Sequence, residues 1–257
     1  GNTVLNGALE IAGAGGVVSG GAVSSGGDIL VSSGGAANGV TIGSAGLIEV
    51  LSGGSATSTI VSSGGELAVS SGATEQGAVS SNGGLVIVVG GGSASGTMVS
   101  AGGVDFVFGS ASNTTVMTDG AEYVYGTVNG ATINGGLLYL RGTGTAGTSQ
   151  INFASGAGGT LELDRSVAFN GVISGFGVPG GIDLRDISFL GSGTTLGYAD
   201  SGTSGTLTIS DGTNTATLHL LGHYTAANFV TQADGNGGTL VTDPPVVGQY
   251  SLYNPHA

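Results

Sequence analysis

Apolar positions recur along this chain about every nineteen residues, and between them lie turns of Ser and Gly. The series Val4, Val23, Ile42, Val61, Val79, Val99, Met117, Ile133 and Ile151 is spaced by 19, 19, 19, 18, 20, 18, 16 and 18 residues. Such a period predicts a solenoid, because each unit is too small to bury its own apolar side and must stack on its neighbours. Within a unit the order is turn, strand, turn, strand and a less regular return, as in Val61-Ser-Ser-Gly-Gly, Glu66-Leu-Ala-Val and Ser70-Ser-Gly-Ala. Strands this short, bounded by Gly and Ser, predict an all-β fold whose body is a parallel β-helix. About eight coils spaced near 4.8 Å give a rod roughly 40 Å long.

Aligning the units on their turns gives columns that can be read for burial. One runs Leu9, Ile29, Ile48, Leu67, Val86, Asp105, Glu122, Leu138; the next runs Ile11, Val31, Val50, Val69, Val88, Val107, Val124, Leu140. Both are expected to point inward. Asp105 and Glu122 interrupt the first column, and their neighbours Val104, Phe106, Phe108, Tyr123 and Tyr125 are large and apolar. Two stacked buried carboxylates without partners are costly. The preferred readings are therefore a one-residue slip that turns the aromatics inward, or an aromatic outer face covered by something else. Thr3, Thr41, Thr97, Thr115 and Thr132, with Thr59 nearby, form a further column, read as a hydroxyl ladder and too interrupted by Ala22 and Ala78 for an ice-binding face.

From about Ile151 the period fades. Thr206-Leu-Thr-Ile-Ser and Ala216-Thr-Leu-His-Leu-Leu alternate cleanly around Asp211-Gly-Thr-Asn, which predicts a hairpin. A short helical turn is placed within Tyr224 to Val230. Pro244-Pro245 opens an extended tail. The expected organisation is a solenoid over 1–170, a β-rich module over 171–243 and a tail over 244–257.

Composition narrows the function. Of 257 residues 56 are Gly and only 7% are charged, with no Lys, three Arg and a formal charge of −13. A phosphate backbone is bound through Lys and Arg, so nucleic acid is excluded as a partner, and membrane insertion is not expected. Cysteine is absent, which removes disulfides, zinc sites and thiol catalysis together and suits a protein exported unfolded. The chain starts Gly1-Asn2-Thr3-Val4 without Met or a signal sequence and is expected to be a processed or trimmed product.

The turns Ser24-Ser-Gly-Gly, Ser32-Ser-Gly-Gly, Ser62-Ser-Gly-Gly and Ser70-Ser-Gly-Ala resemble the passenger repeats of AIDA-like autotransporter adhesins of Gram-negative bacteria, over roughly residues 3–150. The resemblance implies an extracellular, cell-surface β-solenoid used in self-association and biofilm adhesion. The stretch Gly181-Ile-Asp-Leu-Arg-Asp-Ile with Gly205-Thr-Leu-Thr-Ile-Ser-Asp-Gly looks like a module of repeat-rich secreted bacterial proteins, in some of which a Hint-type self-cleaving domain follows. Neither that domain nor a translocator barrel is in this sequence.

Catalytic candidates are sparse. Sugar-acid lyases need bases and cations, and glycosidases need paired carboxylates at a set separation. Asp183 with Asp186, beside Arg185, is the one compact acidic group, and its plain reading is a solvated turn with an ion pair. His219 and His223 have helical metal-pair spacing but straddle a strand end, so edge histidines are the reading. Asp234-Gly-Asn-Gly-Gly and Asp211-Gly-Thr-Asn offer oxygens for calcium, although Asp-Gly is equally a hairpin turn. No catalytic, cofactor-binding or metal residue is assigned. The expected function is structural: a self-associating adhesin or filament subunit, with surface glycans as candidate ligands and a carbohydrate-active enzyme or carbohydrate-binding module as the alternative. Repeat begins by Thr3 with no cap, so head-to-tail assembly is expected, with Val246, Val247, Tyr250, Leu252 and Tyr253 of the tail adding to an open coil.

Overall fold

The computed structural model describes residues 2–243. It is all β, with three short 3-10 turns and no helix long and apolar enough to cross a membrane. The body is a parallel β-solenoid of about ten turns, two more than the period suggested. The difference arises because parallel pairing continues through Gln150–Phe153, Thr160–Leu163, Val172–Ser174 and Gly181–Leu184, where the Ser-Gly signal has already faded.

The coils up to Met98–Val99 carry three short strands each, and those from Val104–Val107 onward carry two, where the second and third merge into Ser110–Met117 and Thr127–Asn134. One full coil comprises Glu66–Val69, Thr74–Gln76 and Val79–Ser80. Ser70-Ser71-Gly72 turns the first corner, Gly77 in a left-handed conformation makes the second, and Ser81-Asn82-Gly83-Gly84 leads to the next coil. The return segment is thus itself a strand.

The paired glycines have separate jobs. Gly83 has φ +83°, a conformation most side chains resist. Gly84 faces the coil before it, where an added Cβ would lie 2.1 Å from the Val61 carbonyl oxygen. Stacking at strand spacing therefore demands a residue with no side chain there.

Register corrects four columns. The inward positions are Glu10, Ile29, Ile48, Leu67, Val86, Asp105, Glu122 and Leu138, then Ala12, Val31, Val50, Val69, Val88, Val107, Val124 and Leu140. Leu9 and Ile11 are therefore outward, 59% and 60% exposed, because the turn Asn6-Gly7-Ala8 aligns Gly7 with Gly26 and shifts the first coil by one. The anchor column takes Ser80 instead of Val79, Val116 instead of Met117 and Phe153 instead of Ile151. Its true spacing is 19 residues as far as Val99 and then 17, 17 and 20, so a strict period points to Ser80. Thr3, Thr41, Thr115 and Thr132 share a column with Ala22, Ile60, Val79 and Met98. Thr59 and Thr97 precede it by one position and are buried.

No slip occurs at Asp105 and Glu122. Both lie inside the stack, together with Glu75. Ser80 Oγ donates to Asp105 (2.7 Å), Thr97 Oγ1 and the Ala78 N–H donate to Glu75, and Thr114 Oγ1 donates to Glu122 (3.2 Å). The interior here is a polar seam, and hydroxyls from the anchor column and its neighbour are what make the carboxyls tolerable.

Antiparallel strands follow the last coil. Thr239–Thr242 pairs with Gly181–Leu184, and Val230–Ala233 pairs with Thr239–Thr242. On the other face, Val172–Ser174 is extended by Thr215–Leu221, which forms the expected hairpin with Ser204–Ser210 around Asp211-Gly-Thr-Asn. Thr195–Asp200 completes that sheet, and a 3-10 turn occupies Ala226–Asn228. Phe153, Phe176, Tyr198, Tyr224 and Phe229 join stack to module, and the Tyr224 hydroxyl donates to the Phe176 carbonyl at 2.8 Å.

Candidate binding face on the outer sheet

Strand alternation turns every second residue of the four-residue strands outward, and stacking aligns those residues into columns. The central outward column reads Ile11, Leu30, Glu49, Ala68, Ile87, Phe106, Tyr123, Tyr139, Glu162, Asp183. Apart from Glu49, its chemistry thus changes along the rod from aliphatic to aromatic to acidic. The outward direction of the aromatics matches one of the two readings, a covered aromatic face, whereas Phe108 stays exposed.

Phe106 stacks on Tyr123 (ring centroids 5.2 Å apart), and Phe108 on Tyr125 (4.8 Å). The second pair forms where the turn shortens: Val89-Gly90-Gly91-Gly92 of one coil becomes Phe108-Gly109 in the next. Phe108 is left 48% exposed. Arg141 lies among three rings, its Cζ 5.0 Å from the Tyr139 centroid, 5.4 Å from Tyr125 and 5.9 Å from Tyr123. Its Nη1 donates to the Tyr125 hydroxyl at 2.9 Å. Cation–π attraction and this hydrogen bond fix the guanidinium in place.

Beside the stack runs an open groove of about 530 Å³, lined by Gly83, Gly84, Leu85, Val104, Phe106, Tyr123 and Arg141. Farther along, Arg185 Nη1 lies 3.4 Å from Glu162 and 3.5 Å from Asp234. Tyr139 donates to Asp164 at 2.5 Å, and burial first, then this bond, raises the Tyr139 pKa. Burial first, then the charges of Asp234 and Glu162, push Asp183 up to about 6.

The compact acidic group does not act as a pair. Asp183 faces the Glu162, Arg185 and Asp234 network, whereas Asp186 accepts from the Ser166 N–H (2.9 Å), the Ser166 hydroxyl (2.5 Å) and the Val167 N–H (3.2 Å) and so pins a local turn. Asp211 accepts from the N–H groups of Thr213, Asn214 and Ser188, which hold its pKa below the usual range. Asp234 accepts from the Asn236 and Gly238 N–H groups. Among the described residues no three His, Cys, Asp or Glu side chains converge as a metal site. His219 and His223 are both exposed, the first on the strand Thr215–Leu221. Val246, Val247, Tyr250, Leu252 and Tyr253 lie outside the described residues.

Arg141 escaped sequence reading. Its signal was its place directly after Leu137-Leu-Tyr-Leu, stacked on Tyr125 and Phe108.

Residues 31–84 match the family described as adhesin of bacterial autotransporter system, probable stalk. The crystal structure of the TibC-catalysed hyper-glycosylated TibA fragment is similar at 29% sequence identity, over 67% of this chain and 76% of that one, with a TM-score of 0.46. No curated protein matches the chain.

Proposed function

We propose that this chain, whose residues 31–84 carry the AIDA-type stalk repeat, is part of an extracellular adhesin of the bacterial cell surface. A parallel stack holds its shape over its whole length because every coil hydrogen-bonds to both neighbours, and it can carry a contact face at a fixed distance from an anchor. The observation that carries the reading is the stalk-family match, lying in a solenoid that turns its aromatics outward. We read the protein as structural and not catalytic, since Asp183 and Asp186 serve different neighbours.

Self-association, head to tail, belongs to the same proposal. A parallel coil offers similar backbone donors and acceptors on both faces, so one copy can extend another by strand addition, and a contact of that kind propagates unless it closes into a ring. The tail residues Val246, Val247, Tyr250, Leu252 and Tyr253 are the proposed connector.

Display of the chain on a non-adherent bacterial host tests the reading. Hosts carrying it are expected to attach to glycan-coated or abiotic surfaces and to cluster. Attachment and clustering no greater than in the parent host, with surface display verified, would sink the adhesin reading. Sedimentation of residues 1–257 against 1–243 tests the connector, with assembly expected only in the longer form.

A further inference from the structure

Among the described residues Arg141 makes no close ion pair, and its charge reaches Glu162 only at longer range, on a strongly acidic chain. The carboxylates nearest along the stack are already engaged. Asp164, on the following coil, accepts from the Tyr139 hydroxyl and from the Gly142 N–H (2.7 Å), and Glu162 is held by Arg185. Of the guanidinium's five N–H donors only one hydrogen bond is made, to Tyr125, and Nε is buried without an acceptor. Three tyrosine rings keep the group oriented along the wall of an open groove.

We propose that this groove binds a carboxylated pyranose, a uronic or sialic acid residue of a glycan, with its carboxylate accepting from Arg141. Three features select that ligand. A planar guanidinium fork matches the two oxygens of a carboxylate, and an unpaired cation in a chain of charge −13 favours an anion over a neutral partner. Leu85, Val104, Phe106 and Tyr123 offer an apolar wall for the C–H side of a sugar ring. The groove's size lies in the range of small-ligand sites. The inference rests on the adhesin reading and names its ligand class.

The test titrates the full chain with trigalacturonic acid and 3'-sialyllactose, using the methyl ester of the first and lactose as neutral controls, by calorimetry or ligand-observed NMR. At least one acidic probe is expected to bind, with its neutral counterpart weaker by roughly tenfold or more, the worth of one hydrogen-bonded charge. Arg141→Gln should lose roughly the same factor, and Arg141→Lys should retain part of the binding. If Arg141→Gln disturbs the tyrosine cage and melts early, Leu85→Glu decides instead, since it places a like charge in the groove lining and should repel the acidic probe. Equal binding of acidic and neutral sugars, no binding of either acidic probe at millimolar concentration, or indifference to Leu85→Glu overturns the proposal. Surface attachment that survives Arg141→Gln alongside such a result removes the groove and leaves the adhesin reading standing. Loss of attachment by the displayed native chain does the reverse.

Discussion

Glu75, Asp105 and Glu122 sit in the interior of the stack, and among the described residues no ion pair reaches them. Burial pushes Glu75 up to about 7 against the opposing bonds from Ala78 and Thr97. Asp105 rises to about 7 through burial, opposed by Ser80 and reinforced by the Glu75 charge, and Glu122 rises to about 8 through burial and the Asp105 charge. Because these folded values lie above the ordinary carboxyl range near 4, the folded chain binds protons more tightly than the unfolded one. The stabilisation is complete below pH about 4 and is lost as pH rises toward 8, so acid strengthens this part of the fold. Melting temperature is expected to fall between pH 5 and pH 8. The triple variant Glu75→Gln, Asp105→Asn, Glu122→Gln should flatten that slope and melt higher than the native chain at pH 8. A native melting temperature that instead climbs with pH would contradict the buried, cation-free setting.

At the scale of the element, the coil is defined by where side chains are forbidden. Gly84 approaches Val61, and Gly65 and Gly103 approach Ile42 and Ser80 in the same way. Gly84→Ala is expected to cost about 1–3 kcal/mol, the range of overpacking, because the obstacle is a backbone carbonyl already engaged in the stack. Gly77→Ala meets no atom within 4 Å and only its φ of +71° opposes it, so the loss should be about 1 kcal/mol. Chemical denaturation of the two variants checks the order, and equal losses would mean that backbone conformation, not stacking distance, fixes these glycines. The same geometry builds the binding face: shortening one turn brings Phe108 onto Tyr125 and places Arg141 at the end of the row.

Across the whole molecule, stability is shared between neighbours. Val69 lies in register between Val50 and Val88 in an aliphatic column running from Val31 to Leu184. Val69→Asp buries an uncompensated charge in contact with two coils and is expected to cost about 3–5 kcal/mol. The damage should spread, because each coil is held by its neighbours. Hydrogen exchange is expected to show lost protection in the coils on both sides of Val69, with less change near Phe176 and Leu218, where stack and module share an aromatic core. Loss confined to Glu66–Val69 would mean that the coils behave independently.

The sequence by itself determined the repeat, its parallel stacking, the Val31-to-Leu140 column, the hairpin around Asp211 and the lack of a basic surface for nucleic acid. These follow from period, alternation and composition, which act locally and repeat often enough to outvote single exceptions. Tertiary structure alone decided the direction of Glu10 and the inward turn of Glu75, Asp105 and Glu122. A one-residue shift reverses the face of every side chain, and only pairing with the neighbouring coil fixes it. The isolated strand Val104-Asp105-Phe106-Val107 permits either face, and the aromatic side looks the more buriable. In the stack, Ser80 and Thr114 supply hydrogen bonds to the carboxyls while Phe106 and Tyr123 shield one another outside. Arg141 likewise acquires its cage from Tyr123, Tyr125 and Tyr139, which come together only when two successive coils are laid one on the other.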